Sequence, residues 1–172
     1  KTTLLKLLAG VLSPDKGSVE LGHQAMISYF PQNHADIVEK VAGVTAFDWL
    51  KERRPAIYDQ EIRSAMGKLL FGGDDAFKMV SALSGGETAR LILAGMLLCE
   101  HNVLILDEPN GHLDLEAVSA LAWELSEYKE TVIVASHDRD LISNVATKLI
   151  AFEEDGIHLF QGGLDEYLAQ KN

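Results

Sequence analysis

Val103-Leu104-Ile105-Leu106-Asp107-Glu108-Pro109-Asn110-Gly111-His112-Leu113-Asp114 is the stretch that decides how this chain is read. Its four leading apolar residues have the length and composition of a fully buried strand. Two carboxylates, Asp107 and Glu108, follow at once, and Pro109 ends the strand. Side chains alternate along a strand, so the two acids leave its end in different directions. A parallel α/β sheet binds ligands beyond the carboxyl ends of its strands. Two acids placed there can divide the work, one holding a metal and the other taking a proton from a water. Taken alone, the same residues also describe a strand that runs into an acidic surface turn.

Working outward, the pattern returns. Thr131 to Ala135 is another apolar strand, and it ends in Ser136-His137-Asp138. A histidine at such a strand end can hydrogen-bond a terminal phosphate or a water. Between the two strands, Leu115, Val118, Leu121, Ala122 and Leu125 share one face of a helix over 115–128. Upstream lies Leu83-Ser84-Gly85-Gly86-Glu87, a capping serine and two glycines before a helix over 87–98. The free N–H groups and the positive end of that helix suit an anion. The glycines let another surface approach closely, and the chain offers no obvious partner for it.

The remaining segments fill in around these. Lys1-Thr2-Thr3 leads into Leu4, Leu5, Leu7 and Leu8, a helix with an apolar face that Gly10 stops. A phosphate-binding loop ends in Gly-Lys-Ser/Thr and runs into such a helix; Lys1-Thr2 fit its last two residues, and equally fit a surface lysine with a first-turn threonine. Ser18 to Leu21 and Ala25 to Phe30 read as short strands. Pro31 stops the second, and the amide of Gln32 can coordinate a cation or orient a water there, or simply face solvent. The middle of the chain, about 40–100, reads as all-helical. It holds a short helix over 45–50, then Pro55 opening the next at its first turn. The stripe Ile57, Ile62, Ala65, Met66, Leu69, Leu70 follows and runs to Gly72-Gly73. At the far end, 141–145 is a short helix, 148–152 and 157–160 a hairpin, and 163–170 a last helix.

The 172 residues and 47% hydrophobic content suit one domain with a real core. Fifteen basic against twenty-six acidic residues give a formal charge of -11, which does not suit nonspecific nucleic-acid binding, although a local basic patch could still touch RNA. The single Cys99 excludes an intrachain disulfide or a multi-cysteine metal site and fits a reducing compartment. No apolar run reaches membrane-spanning length and no signal peptide is visible, so the cytoplasm is the expected location.

Together these pieces resemble the nucleotide-binding domain of an ABC ATPase. Lys1-Thr2-Thr3 is similar to the end of its Walker A loop, Gln32 to the Q-loop glutamine and Leu83–Glu87 to the ABC signature. Val103–Asp107 is similar to Walker B, Glu108 to the catalytic glutamate, His112-Leu113-Asp114 to the D-loop and His137 to the switch histidine. The string from Asp107 to Asp114 resembles the DEPTNHLD of the ABC-F branch. The tail from Phe160 to Tyr167 resembles that branch's closing hairpin and helix. Three residues depart from the pattern: Asn110-Gly111 replace threonine-asparagine, and Thr88 stands where a lysine is usual.

The resemblance implies a P-loop α/β fold of ABC type, a RecA-like core over 1–39 and 101–172, a helical signature subdomain at about 40–100, and a small antiparallel section. It also implies that this is the C-terminal domain of a tandem protein, begun inside Walker A, without its first strands and loop glycines, so that the chain alone is expected to bind ATP weakly or not at all. Its ligands would be ATP and Mg²⁺. Lys1, Thr2 and Thr3 would bind nucleotide; Thr2, Asp107 and Gln32 would hold the metal; Glu108, His137 and Gln32 would be catalytic. Ser84, Gly85 and Gly86 would close on ATP held by a sister domain. The implied setting is a ribosome-associated translation factor without direct membrane contact. The rivals are the ATPase subunit of a membrane transporter and an interaction module whose ATPase is dead.

Overall fold

The computed structural model describes residues 1–34, 37–38 and 43–171. Its centre is a parallel three-stranded sheet in the order β1 (Ile27–Phe30), β2 (Val103–Asp107), β3 (Thr131–Ala135). The register pairs Phe30 with Leu106 and Asp107 with Ala135, so the three strands end at one edge. Alternation then sorts the side chains. Ile105 and Ala135 pack with Leu5 of α1 (Thr2–Leu8), among Ile27, Tyr29, Val103 and Ile133. Phe30, Leu104 and Leu106 belong instead to the main core, built from helices α2 to α6. β2 is apolar on both faces because both are covered.

Those helices are α2 (Ala46–Arg53), α3 (Asp59–Lys68), α4 (Gly85–Leu97), α5 (Leu115–Ser126) and α6 (Arg139–Val145), with 3-10 turns at Gly73–Phe77 and Val80–Ala82. Local capping fixes their starts. Thr45, Ser84, Asp114 and Asp138 each accept a hydrogen bond from a backbone N–H of the first turn. One continuous core joins Leu50, Ile62 and Phe71 to Leu91, Leu104 and Leu121. An antiparallel hairpin, β4 (Lys148–Glu153) and β5 (Gly156–Gln161), carries α7 (Leu164–Lys171). There Tyr167 meets Phe160 edge-on at 5.5 Å and, with Lys171, holds Glu153.

Four expectations need correction. Ser18–Leu21 forms no strand: no neighbour among the described residues offers it a ladder, and Val19 and Leu21 lie exposed. Pro55 sits in a turn, and α3 starts only at Asp59, where Glu61 accepts the Tyr58 N–H at 3.1 Å. The helix stops at Lys68, before the glycines: Leu70 takes φ +55 and lets the Phe71 N–H reach the Met66 carbonyl at 2.9 Å, which buries both Leu69 and Phe71. Leu115, at the first position of α5, is 78% exposed and outside the apolar face; Val118, Leu121, Ala122 and Leu125 are buried as expected. The expected boundary at 39–40 lies outside the described residues.

Candidate active site

The carboxyl edge of the sheet gathers the polar side chains. Asp107 ends β2 fully buried, on the face covered by α1. The first turn of α1 stands over it, and the Thr2 hydroxyl donates to Asp107 Oδ1 at 3.1 Å. Lys1 Nζ donates to the Ser136 carbonyl at the end of β3, 3.4 Å away. The second Asp107 oxygen, Oδ2, is buried with no hydrogen-bond partner among the described residues. The Tyr29 hydroxyl is orphaned in the same way. Burial first, then the Asp107 charge facing it, pushes the Tyr29 phenol above its ordinary range. A buried carboxylate oxygen without a partner is costly. A hard divalent cation, which takes oxygen ligands, would satisfy it. The residues present fit Mg²⁺ at Thr2 and Asp107.

Glu108 is built differently. Its N–H extends the ladder to the Ala135 carbonyl at 2.8 Å, and its own φ is +49. A non-glycine residue held there stores about 1 kcal/mol of strain. The turn swings its carboxylate to the end of β3. Oε2 accepts the His137 backbone N–H at 3.3 Å, and Oε1 lies 3.4 Å from His137 Nε2. The Glu108 side chain is 19% exposed and that of His137 81%. A half-enclosed carboxylate beside an accessible imidazole can take a proton from a water and pass it on.

Asn110, a departure from the family string, fastens this turn: its Oδ1 accepts the buried Ser136 hydroxyl at 2.9 Å, whose oxygen accepts the Asp138 N–H at 3.0 Å. Thr88, another departure, is buried, and its hydroxyl donates to the Ser84 carbonyl at 2.8 Å; a lysine there would need a different way out. Gln32 is exposed just past Pro31 at the end of β1, without a hydrogen bond to the acids among the described residues. Thr3 is exposed and likewise makes no hydrogen bond to the cluster. Sequence reasoning missed Tyr29, Asn110 and Ser136 as parts of the site. Alternation on β1 was the available signal for Tyr29, since it fell on the face of Asp107.

Ser84 Oγ accepts the Glu87 N–H at 3.2 Å, and Glu87 returns an oxygen to the Ser84 N–H at 2.8 Å. Lys78 pairs with Glu87 at 2.6 Å. That ammonium first, then the Ser84 backbone N–H, brings the Glu87 carboxyl down to about 2. Ser84 stays exposed. The glycine turn, however, has a partner within the chain: a Cβ on Gly86 would stand 2.5 Å from the His112 carbonyl oxygen. An open cavity of about 590 Å³ beside β3 and β4 has a largely apolar lining and touches this cluster only at Lys1 and Ser136.

The ABC transporter family model matches residues 1–111. The chain belongs to the ABC transporter family. As an ABC domain it is 39% identical to the putative ATP-binding protein YdiF of Bacillus subtilis, over 99% of this chain and 26% of that protein. It is 37% identical to the probable ATP-binding protein YbiT of Escherichia coli O157:H7, over 99% of this chain and 32% of the other. It is 36% identical to ATP-binding cassette sub-family F member 3 of Mus musculus, over 98% and 24%. Its relatives thus include the ABC-F branch, as the DEPNGHLD string leads one to expect. Among solved structures, an RNase-L Inhibitor matches with TM-score 0.75 at 27% identity, over 99% of this chain and 34% of that one. A chain in a model of ribosome-bound archaeal Pelota and ABCE1 matches with TM-score 0.77 at 28% identity, over 99% and 30%. The ABC domain spans about a third or less of the length of these relatives. No helix of the described residues is long and apolar enough to cross a membrane.

Proposed function

We propose that this ABC domain binds and hydrolyses ATP as the switching element of a cytoplasmic ABC-F protein that works on the ribosome. The observation that carries the reading is the edge of β2, where Thr2 donates to one oxygen of a buried Asp107 and leaves the other orphaned. Thr2 and Asp107 would hold Mg²⁺, with Gln32 approaching from the end of β1. The metal, when bound, neutralises charge on the phosphates of the substrate. Lys1, already turned toward the end of β3, would bind the terminal phosphates, with Thr2 and Thr3 opening the helix beside them. Glu108 takes a proton from the attacking water, and His137, in contact with its carboxylate, stabilises charge on the terminal phosphate. Ser84, Gly85 and Gly86 would face ATP held by a sister domain. Binding then favours a closed pair and hydrolysis releases it. The ribosome as partner, and the soluble setting, rest on likeness to the sub-family F and ABCE1 proteins.

The test is Glu108→Gln in the full-length protein that carries this domain. ATP binding should persist while phosphate release falls roughly 10²-fold or more. Turnover equal to the parent's would remove Glu108 from the mechanism.

A further inference from the structure

Two residues beyond Gln32, His34 is 5% exposed, and its Nδ1 is buried with no hydrogen-bond partner among the described residues. The ring stacks at a tilt on Phe30, with centroids 4.7 Å apart, and receives the His112 ring edge-on at 5.5 Å and 70°. The backbone of Pro31, Gln32 and Gly85 lies beside the ring. His112 in turn touches the signature turn. Its ring lies 3.9 Å from the Cβ position of Gly85, and its carbonyl 2.5 Å from that of Gly86. Three segments far apart in sequence therefore meet around one buried imidazole: the end of β1, the start of α4, and the turn after Glu108.

The last of these is tied to the catalytic carboxylate. The Gly111 N–H donates to the Glu108 carbonyl at 3.1 Å, and the Leu113 N–H to the Asn110 carbonyl at 3.1 Å. Asn110 is fastened to Ser136, next to His137. A shift of His112 is thus passed through short contacts to both residues proposed as catalytic, Glu108 and His137. In close-packed matter such a contact moves as a unit or breaks. We infer that His34 is a positioning residue, which keeps the Gln32 strand end, the signature turn and the turn after Glu108 in one register. The functional meaning of that register rests on the ATPase reading; the register itself does not.

The experiment is two-dimensional ¹H–¹⁵N NMR on this chain without nucleotide. His112 is exposed, so His112→Ala should fold. It is expected to move the amide signals of Gln32, His34, Gly85 and Gly86, and to leave those of the β4–β5 hairpin in place. His34→Ala should move Gly85, Gly86 and Gly111, and His34→Phe should return them toward the parent positions. In the His112→Ala background, His34→Ala should shift Gly111 no further. Changes confined to 110–114 in His112→Ala would overturn the inference even if the His34 variants fail to fold. So would an effect of His34→Ala on Gly111 that survives the loss of His112. If the shifts appear but Glu108→Gln leaves turnover untouched, the ATPase reading falls and the register stands. The opposite pattern removes the register alone.

Discussion

Replacing Glu87 by glutamine isolates one charge at the start of the signature helix. The carboxylate accepts the Ser84 N–H at 2.8 Å and meets Lys78 Nζ at 2.6 Å. These contacts bring its pKa from 4.5 to about 2. At 1.36 kcal/mol per unit, such a shift has a face value of roughly 3 kcal/mol. Lys78 is 45% exposed, so solvent screens the pair and about 1 kcal/mol is the usable figure. The sign follows from proton uptake. Below pH 4.5 the unfolded chain takes up the proton first, while the folded chain resists until about pH 2. The stabilisation is therefore complete above pH 4.5 and is lost as the pH falls toward 2. Glutamine keeps an oxygen for the Ser84 N–H and loses the charge. Urea midpoints for parent and Glu87→Gln should differ by the equivalent of about 1 kcal/mol at pH 7. The gap should close progressively below pH 4.5. Identical midpoints at pH 7, or a gap that persists unchanged into acid, would refute the argument.

Gly86→Ala should cost about 1–3 kcal/mol in thermal or urea unfolding, because its Cβ would press on backbone 2.5 Å away; Gly85→Ala, facing the His112 ring at 3.9 Å, should be nearly neutral. Equal effects would mean that the turn yields freely. Leu70→Gly should stabilise the chain by up to about 1 kcal/mol, since Leu70 is 43% exposed and held at φ +55. A lower melting temperature would show that its side chain contributes more than its backbone strain costs.

What the sequence disclosed depended on how far each cause reached. β2 was legible because burial on both faces leaves an uninterrupted apolar run, β3 because its run of β-branched residues is apolar although only partly buried, and Ser84 because a cap acts within one turn. Ser18–Leu21 has the residue types of a strand and no partner, and pairing is a property of the neighbours. Leu70 looked like one more apolar helical residue; its left-handed turn follows from the need to bury Phe71 beside Leu69. Asn110 and Thr88 looked like weakened copies of a family pattern. Each acquired a use only when Ser136 and the Ser84 carbonyl came into contact with them. The glycines at 85–86 correctly signalled a close approach, and the surface that makes it, His112, lies within the same chain.

The two neighbouring acids show how one residue's difference in position separates two chemistries. Asp107 is the last residue still paired in the ladder, so the sheet fixes its backbone and α1 covers its side chain. A carboxylate that cannot move and cannot be reached by bulk water suits holding a cation. Glu108 is the first residue past the paired register, with one ladder hydrogen bond and a strained φ. Among the described residues its carboxylate is held only by contacts to His137, at 3.3 and 3.4 Å, long enough to be exchanged for a water. The rigid acid and the releasable acid are therefore set by where the ladder stops. Pro109 stops it, since the ring has no N–H to donate to another strand. Because the Glu108 carbonyl also accepts the N–H of Gly111, any movement that frees the carboxylate is felt at His112 and at the glycine turn packed against it.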